Sequence, residues 1–485
     1  MSLTAALHTA RSSLQATSTQ ISVSGRNISG ADDPAYSRKL ATTTTTADGA
    51  ARIPQISRAA DAPLYTRMLD ATARASGEQT MLEGLQRLAE TIGDPELQQS
   101  PAAKIGAFAT AVAQYANAPD DALFGQNVVT AGRDLADTLN TAASAVISVR
   151  RDADADMATS VARINHLLGQ FSEFNSAVVA GTVLGTDVTD MLDKRDGVVA
   201  ALSEELGVAT IRRENNDLAI YTDSGVTLFE GHARTVSFEP THIYLADTPG
   251  NAVTIDGVPV TSEAAGMPLR DGRLASLARL RDDVSATYQL QLDEIARGVI
   301  TAFAELDQSG AGGPALAGVF DAGDTTIPDA GTAGVAGRFR LNPAVDPALG
   351  GSVELIRDGG INGAAYRYNG SSSAGFPDRL LDLAVANTSA QSFASESGLA
   401  SPSGLADFAS ASVGWLESLR QSATIDAEYQ ASVLARSSEA LSNATGVNLD
   451  DEYANQLQLE RSYAASAKLI SIIDELFKTL LASAG

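Results

Sequence analysis

The chain has 485 residues, more than one hydrophobic core normally accommodates, so we expect several substructures. Its 59 acidic and 34 basic residues give a formal charge of -25, which repels nucleic-acid phosphates and anionic lipid surfaces. Nucleic-acid and membrane partners are therefore disfavoured. Cysteine is absent, which excludes disulfides, thiolate metal sites and cysteine nucleophiles.

The start of the chain does not have the pattern of a cleaved secretory signal peptide. The segment MSLTAALHTARSSLQATSTQ lacks a basic start and a continuous apolar core. No apolar run approaches the roughly 18 residues of a membrane span. We expect a protein without a membrane span that, if exported, leaves the cell without a cleaved signal peptide.

The N-terminal segment predicts a long helix with a narrow apolar stripe. Two neighbouring columns repeat every seven residues: Leu7, Leu14, Ile21 and Ile28, beside Leu3, Ala10, Thr17 and Ser24. Gly30 is well placed to cap the helix at its C-terminus, and Pro34 prevents its continuation.

Helical spacing dominates from the extended stretch near residue 46 to residue 205. One helix is predicted to stop at Gly93-Asp94-Pro95, and the next to start at Ser100-Pro101. A longer pattern then runs from Asp120 to about Val179. This succession favours a multi-helix bundle over a globular α/β unit.

A period of two replaces the helical spacing between residues 206 and 264. Apolar alternation on both sides of Asp223-Ser224-Gly225 and of Asp256-Gly257 predicts two hairpins in a small all-β insert. Helical spacing returns from Leu274 to Leu306. Residues 311–375 are Gly-rich and weakly patterned, which indicates short strands and loops.

The C-terminal segment repeats the pattern of the first. Its two columns are Leu449, Gln456, Tyr463, Ile470 and Phe477, and Leu459, Ser466, Ile473 and Leu480. A helix with only a narrow stripe gains little stability alone, so we expect the two ends of the chain to pair as a coiled coil.

The predicted fold is mainly α with a β insert. Residues 1–45 and 447–485 would form a terminal coiled-coil inner domain, and residues 206–264 a β-rich outer domain. The helical bundle would combine residues 46–205, 265–310 and 376–446, and residues 311–375 would form the Gly-rich irregular segment.

Catalytic and metal-binding patterns are weak. The histidines at 8, 166, 232 and 242 lack metal-site spacing, and Ser309-Gly-Ala-Gly-Gly-Pro lacks the Lys of a phosphate loop. Asp152-Ala-Asp154-Ala-Asp156 begins like a calcium loop but has Met157 in place of the required Gly, so we interpret it as a solvated helix face. We expect no catalytic residue, no metal ligand and no cofactor.

A run of four consecutive charges, Asp193-Lys-Arg195-Asp196, lies close to the predicted bundle-to-β junction. An ordinary solvated helix turn is one interpretation. The other is that Asp193, Arg195 and Asp196 form ion pairs that fix how the β insert leaves the bundle. An isolated, exposed ion pair would fix this geometry only weakly.

Both ends of the chain resemble known signatures. SSLQATSTQISVSGRNISGADDPAYSRK resembles the N-terminal signature of flagellar rod, hook and junction proteins, with Asn27, Pro34, Tyr36 and Arg38 in its turn. GVNLDDEYANQLQLERSYAASAKLISIIDELFKTLL resembles the C-terminal signature of the hook-filament junction proteins (hook-associated protein 1) of the bacterial flagellar axial family. LDKRD and Ser37-Arg38 match that family as well.

The resemblance implies a structural adaptor, exported and extracellular, that forms a ring at the hook tip and joins hook to filament. It implies as partners the hook protein, the second junction protein, further copies of the chain, an export chaperone and the export apparatus. The expected interface consists of Leu7, Leu14, Ile21, Ile28, Leu449, Leu459, Tyr463, Ile470, Ile473, Phe477 and Leu480.

Two other functions stay open at this point. A hook or distal-rod protein would share the terminal helices but lack the long central bundle. An enzyme in an acidic multi-domain shell would need a convergent polar pocket, and no motif in the sequence indicates one.

Overall fold

A computed structural model describes residues 3–47, 49–90, 99–262 and 264–484. Most of these residues are helical, and the strands are short, which confirms the predicted mainly α fold with a β insert. The helix stop predicted at Gly93-Asp94-Pro95 lies outside the described residues. The helices are α1 Leu3–Gly30, α2 Ala62–Ala89, α3 Pro101–Asn117, α4 Ala122–Leu184, α5 Thr189–Glu205, α6 Arg273–Arg279, α7 Ser285–Ala302, α8 Val335–Arg338, α9 Glu354–Asp358, α10 Asp378–Val385, α11 Leu405–Thr445 and α12 Leu449–Ala484.

Helices α2, α3 and α4 of the bundle begin at side-chain caps that the sequence provides. The Asp61 carboxylate accepts the Leu64 amide of α2, and the Ser100 hydroxyl accepts the Ala103 amide of α3. The predicted start at Ser100-Pro101 is thus confirmed. Helix α4 begins at the Asp121 cap and ends at Gly185, whose φ of 69° supplies the left-handed C-cap.

Helix α4 is the long axis of the bundle, which α2 to α7 form together with α11. Its 63 residues span about 95 Å, at about 1.5 Å per residue. Its inward side chains recur at heptad spacing and are fully buried against the neighbouring helices: Leu139, Val146, Ala153, Met157, Ile164 and Phe171. The bundle therefore has a continuous apolar core along its length.

Helices α6 and α7 are joined by a π-helical turn at Leu280–Val284, in which Arg281 is buried. The helix predicted to reach Leu306 ends at Ala302, and Leu306 is exposed. The reason is a backbone bridge: Glu305 pairs with Leu316, which takes the chain out of the helical conformation.

The β insert consists of two antiparallel three-stranded sheets. One has the order β5-β6-β7 and the other β10-β9-β8. Both predicted hairpins are confirmed, and the second turns at Asp256 and Gly257, whose φ values of 47° and 82° fit a type I′ turn. The strands are β5 Val208–Arg212, β6 Leu218–Thr222, β7 Thr227–Phe229, β8 Val236–Ser237, β9 Thr254–Ile255 and β10 Val258–Pro259.

Short strand pairs also precede and follow the insert. The N-terminal pairs lie beside α1, with β4 on β1 and β3 on β2. They are β1 Lys39–Ala41, β2 Thr44–Thr45, β3 Ala51–Arg52 and β4 Ile56–Arg58, and the later pairs are β11 Phe320–Asp321 with β12 Arg340–Leu341 and β13 Ala390–Gln391 with β14 Ser403–Gly404.

The Gly-rich segment packs on the bundle. Phe320 and Phe339 are buried and stack with ring centroids 5.0 Å apart. The Asp293 carboxylate of α7 accepts the backbone amides of Gly334 and Ala336, each at 2.8 Å. The segment thus shares the bundle's core, and the division of the chain into four domains stays a prediction.

Candidate assembly interface

Helices α1 and α12 pair to form the terminal coil. Ser13 and Ser466 are joined by a hydrogen bond of 3.3 Å, and Ser24 donates to Glu452 at 2.8 Å, so the two helices run antiparallel. The buried seam of the coil is narrow on both sides. From α1 it takes mainly Ala10, Thr17 and Ser24, and from α12 it takes Glu452, Leu459, Ser466 and Ile473, again at heptad spacing.

The predicted interface residues divide between the centre and the margin of this seam. Leu459 and Ile473 lie at its centre and are buried. At its margin, half-buried, are Leu7, Leu14, Ile21, Ile28, Ile470 and Phe477. Leu449, Tyr463 and Leu480 are exposed. The small residues of the second N-terminal column, rather than Leu7 and its successors, are the ones that the pairing with α12 buries.

Helix α12 carries far more apolar surface than α1 covers. Leu469, Ile472 and Leu476 recur at spacings of three and four, which places them on one helical face, and they are 53%, 43% and 49% exposed. Other large exposed apolar side chains of α12 are Leu449, Tyr453, Leu457, Tyr463, Leu480 and Leu481. A continuous exposed apolar face of this kind is typical of an interaction surface.

The turn that follows α1, residues 31–38, is built around Asn27. The Tyr36 hydroxyl donates to Asn27 Oδ1 at 3.0 Å, and burial of that phenol raises its pKa to about 12. The Asp33 carboxylate accepts the Ala35 amide, while Pro34 is exposed. The turn therefore bends sharply and returns Tyr36 to the end of the helix.

Gly30 has a different role from the predicted one. It is the last residue of α1, and its φ is not positive, so it is not a left-handed cap. A Cβ atom at this position would lie 2.5 Å from the Tyr36 ring. Glycine is required because the tyrosine packs directly on the backbone.

Glu452 is a functional candidate that the sequence reasoning missed. Its carboxylate, 1% exposed, accepts hydrogen bonds from Ser24 Oγ at 2.8 Å, Asn27 Nδ2 at 3.1 Å and Arg38 Nε at 2.7 Å. In the sequence it is one of three acidic residues in the first turn of α12, where charge normally faces solvent. Its heptad spacing to Leu459 was the signal that could have identified it.

The charged run of α5 connects three parts of the molecule. Asp193 forms ion pairs with Lys39 of β1 and with Arg58 of β4, the latter at 2.7 Å, and Asp196 also pairs with Arg58. Arg195 pairs with the neighbouring Asp196 at 3.7 Å and donates to Asn175 of α4 and to the Asn216 carbonyl between β5 and β6. Of the three, Arg195 therefore contacts the β insert, at the connection between β5 and β6, while the two aspartates hold the strands that follow the turn.

The ion pairs of Lys39, Arg58, Asp193 and Asp196 form a joint between α5 and the strands β1 and β4. Burial determines the electrostatics of this joint. Desolvation alone would lower the pKa of Arg58, but Asp196 and Asp193 raise it above its ordinary value. For Arg195, burial lowers the pKa by more than the nearby Asp196 raises it. Lys39 and Arg58 could not be identified from the sequence, because nothing in β1 or β4 marks them as partners of α5. Arg26 of α1 adds exposed pairs to Asp187 and Asp190, each at 2.7 Å.

The interpretation of the calcium-like run of α4 as a solvated helix face is wrong for Asp154. This residue is 2% exposed and accepts from Arg281 Nη1 at 2.5 Å and from the Tyr244 hydroxyl at 2.8 Å. Its carboxylate fixes the 241–251 loop of the β insert to the bundle. Within the described ranges, no group of three or more His, Asp or Glu side chains could hold a metal ion. None of the helices described there is long and apolar enough to cross a bilayer.

Comparisons with known proteins show two parts of the chain that match families of flagellar proteins. Residues 85–319 match the family described as flagellar hook-associated protein FlgK helical domain. Residues 439–483 match the family described as flagellar basal body rod FlgEFG protein C-terminal. No curated protein sequence is significantly similar to the chain.

A solved structure of the flagellar hook junction protein FlgK from Burkholderia pseudomallei is similar at 20% identity and a TM-score of 0.43. The similarity covers 53% of this chain and 47% of that one, about half of either. The two family matches do not overlap: residues 85–319 of the chain are similar to the hook-associated helical domain, and residues 439–483 to the C-terminal family of the basal body rod proteins, so both matches are to families of flagellar proteins.

Proposed function

We propose that this protein is a structural, non-enzymatic adaptor of the bacterial flagellum that assembles at the hook tip and joins the hook to the filament. The observation that carries the proposal is the match of residues 85–319 to the hook-associated helical domain. The C-terminal match alone would fit a rod or hook protein equally well, so it is the helical-domain match that disfavours the alternative of a hook or distal-rod subunit.

The terminal coil supplies a physical basis for assembly. Helix α12 exposes Leu469, Ile472 and Leu476 although α1 already covers its seam. Burying apolar area is favourable by about 25 cal/mol per Å², so neighbouring subunits that cover this face would stabilise a polymer. We propose that these neighbours are copies of the same chain in a ring, with the hook protein on one side and the second junction protein on the other.

The proposed location requires that the subunit is exported. The subunit acts outside the cell, at the flagellum, so it must be delivered by the flagellar export apparatus, with an export chaperone that covers the apolar face of α12 beforehand. The same exposed side chains that favour assembly would favour aggregation in the cytoplasm.

The first test is a deletion. In a strain without this protein we expect hooks that lack filaments in electron micrographs, and the wild-type gene should restore the filaments. Normal filaments in the deletion strain would contradict the proposed function.

Two matched double variants test whether hook binding depends on the exposed face of α12 in particular or on any exposed apolar surface. We expect Ile472→Ser with Leu476→Ser to abolish hook binding while leaving the unfolding of the bundle unchanged. The control is Leu381→Ser with Val385→Ser on α10, whose side chains are 53% and 60% exposed. Equal loss of hook binding in both variants would contradict a specific role of α12.

A further inference from the structure

We propose that Glu452 fixes the register in which α1 and α12 pair, and that this register determines where the turn enters the bundle. The small side chains of α1 in the seam do not define a register by themselves. Ala10, Thr17 and Ser24 are all small, and a shift of seven residues in one direction replaces Ala10 by Thr17 and Thr17 by Ser24. Apolar contact is non-directional, so such a shift loses little.

The polar contacts of Glu452 have no such tolerance. Its buried carboxylate is satisfied by Ser24, Asn27 and Arg38 together, at 2.8, 3.1 and 2.7 Å. A shift of one heptad moves the carboxylate by about 10 Å along α1, away from all three donors. A buried carboxylate without donors is strongly disfavoured, and single polar residues in coiled-coil seams select register in this way.

The same contacts transmit the register to the bundle. Asn27 Oδ1 accepts the Lys39 amide at 2.8 Å as well as the Tyr36 hydroxyl. The Lys39 ammonium is buried and pairs with Asp193 of α5, and the Arg38 amide donates to the Thr445 carbonyl of α11 at 2.8 Å. A slipped coil would therefore displace the turn from its contacts with both bundle helices.

Engineered disulfides can measure the register, because the chain contains no cysteine. Ser13→Cys with Ser466→Cys reports the observed register, since the two hydroxyls are 3.3 Å apart. Ala6→Cys or Gln20→Cys, each with Ser466→Cys, reports a shift of one heptad in either direction. The measured quantity is the ratio of shifted to in-register intramolecular disulfides in the full-length monomer, determined by mass spectrometry after mild oxidation.

In the native background we expect only the in-register disulfide. Glu452→Leu should raise the ratio of shifted to in-register disulfides by roughly tenfold or more, because the apolar replacement removes the polar contacts that distinguish the registers. The control is Ile473→Ala, in the same column, which should weaken all pairs and leave the ratio unchanged. An unchanged ratio in Glu452→Leu, or an equal rise in Ile473→Ala, would overturn the proposal.

A second variant is needed if α1 and α12 no longer pair in the Glu452→Leu variant. Glu452→Gln keeps the size of the side chain and one acceptor oxygen but loses the ion pair with Arg38. It should keep the coil and show a smaller rise in the shifted disulfides. If Glu452→Gln retains the coil with the native ratio while Glu452→Leu loses it, Glu452 serves stability alone and the proposal fails.

Discussion

The bundle and the terminal coil use the same heptad spacing but treat their large apolar side chains in opposite ways. Along α4 these side chains are buried, and the exposed ones, Leu123, Val183 and Leu184, lie at its two ends. Along α12 the buried seam contains small and polar members, Ser466 and Glu452, while leucines remain exposed. The bundle thus completes its core within one chain, whereas the coil leaves a face for other chains.

The two regions also differ from the joint between them. Packing dominates the bundle and the coil, whereas the joint, formed by β1, β4 and α5, is held mainly by buried charge. Its Lys39, Arg58 and Asp193 have side chains that are 0%, 8% and 9% exposed. Ion pairs with hydrogen-bond geometry are directional, so they fix an orientation that an apolar contact would leave loose.

The largest effect on stability is expected in the bundle. Phe108 is 1% exposed, and its ring lies 4.9 Å from the rings of both Phe303 and Phe320. Phe108→Ala should lower the free energy of unfolding by about 3–5 kcal/mol, because it leaves a cavity that this aromatic cluster cannot fill. Urea unfolding followed by the fluorescence of Trp415, the sole tryptophan, measures it.

The matched control for this change is Leu123→Ala, at a position that is 61% exposed on α4. It should change the free energy of unfolding by less than about 0.5 kcal/mol. Equal effects of the two substitutions would mean that the bundle does not depend on its aromatic core.

The joint should respond nearly as strongly. Asp193→Ala leaves the fully buried Lys39 ammonium and the Arg58 guanidinium without their shared carboxylate. We expect a loss of about 3 kcal/mol in the free energy of unfolding, measured by urea denaturation and circular dichroism. Asp190→Ala is the control: that carboxylate lies 3.6 Å from Lys39 but is 57% exposed, and its loss should cost less than about 1 kcal/mol. If Asp190→Ala lowered the free energy of unfolding more than Asp193→Ala does, burial would not be the reason for the stability of the joint.

In the coil, two neighbouring isoleucines should separate folding from assembly. Ile473→Asp places a carboxylate in the buried seam, so we expect faster amide exchange across α1 and α12 while the urea midpoint of the bundle stays unchanged. Ile470→Asp, at the half-buried margin, should affect exchange less and still block binding to isolated hooks. Normal hook binding by Ile470→Asp would show that the margin of the seam faces no neighbouring subunit.

The smallest effect on stability is expected in the turn. Asp32, Asp33 and Pro34 are exposed, so replacing all three by Ala should change the free energy of unfolding by less than about 0.5 kcal/mol. Without Pro34, α1 can continue by a few residues into the exposed part of the turn, which changes the surface that the turn presents to neighbouring subunits. The number of filaments per cell should therefore fall while the melting temperature hardly moves. A large drop in melting temperature would instead place the turn within the core.

Local sequence determined much of this protein. The heptad columns predicted α1, α12 and their pairing, and the Asp-Gly dipeptide predicted the β9–β10 hairpin, because periodicity and turn chemistry act between residues close in the chain. Local sequence also predicted the end of α1, but not why Gly30 is required there. Glycine is required because the ring of Tyr36, six residues further along the chain, leaves no room for a Cβ atom.

Tertiary structure alone decided which charges are buried and with which partners. Glu452, Lys39 and Asp154 have sequence contexts typical of solvated helix or strand positions, yet each is at most 2% exposed and paired across a long sequence separation. A charge can be buried only where folding brings its counter-charge and hydrogen-bond donors into contact with it. Local sequence patterns do not predict such contacts, because the partners are far apart in the chain. The sequence by itself therefore determined the helices and the apolar seams, and the packed fold decided the polar contacts that orient them.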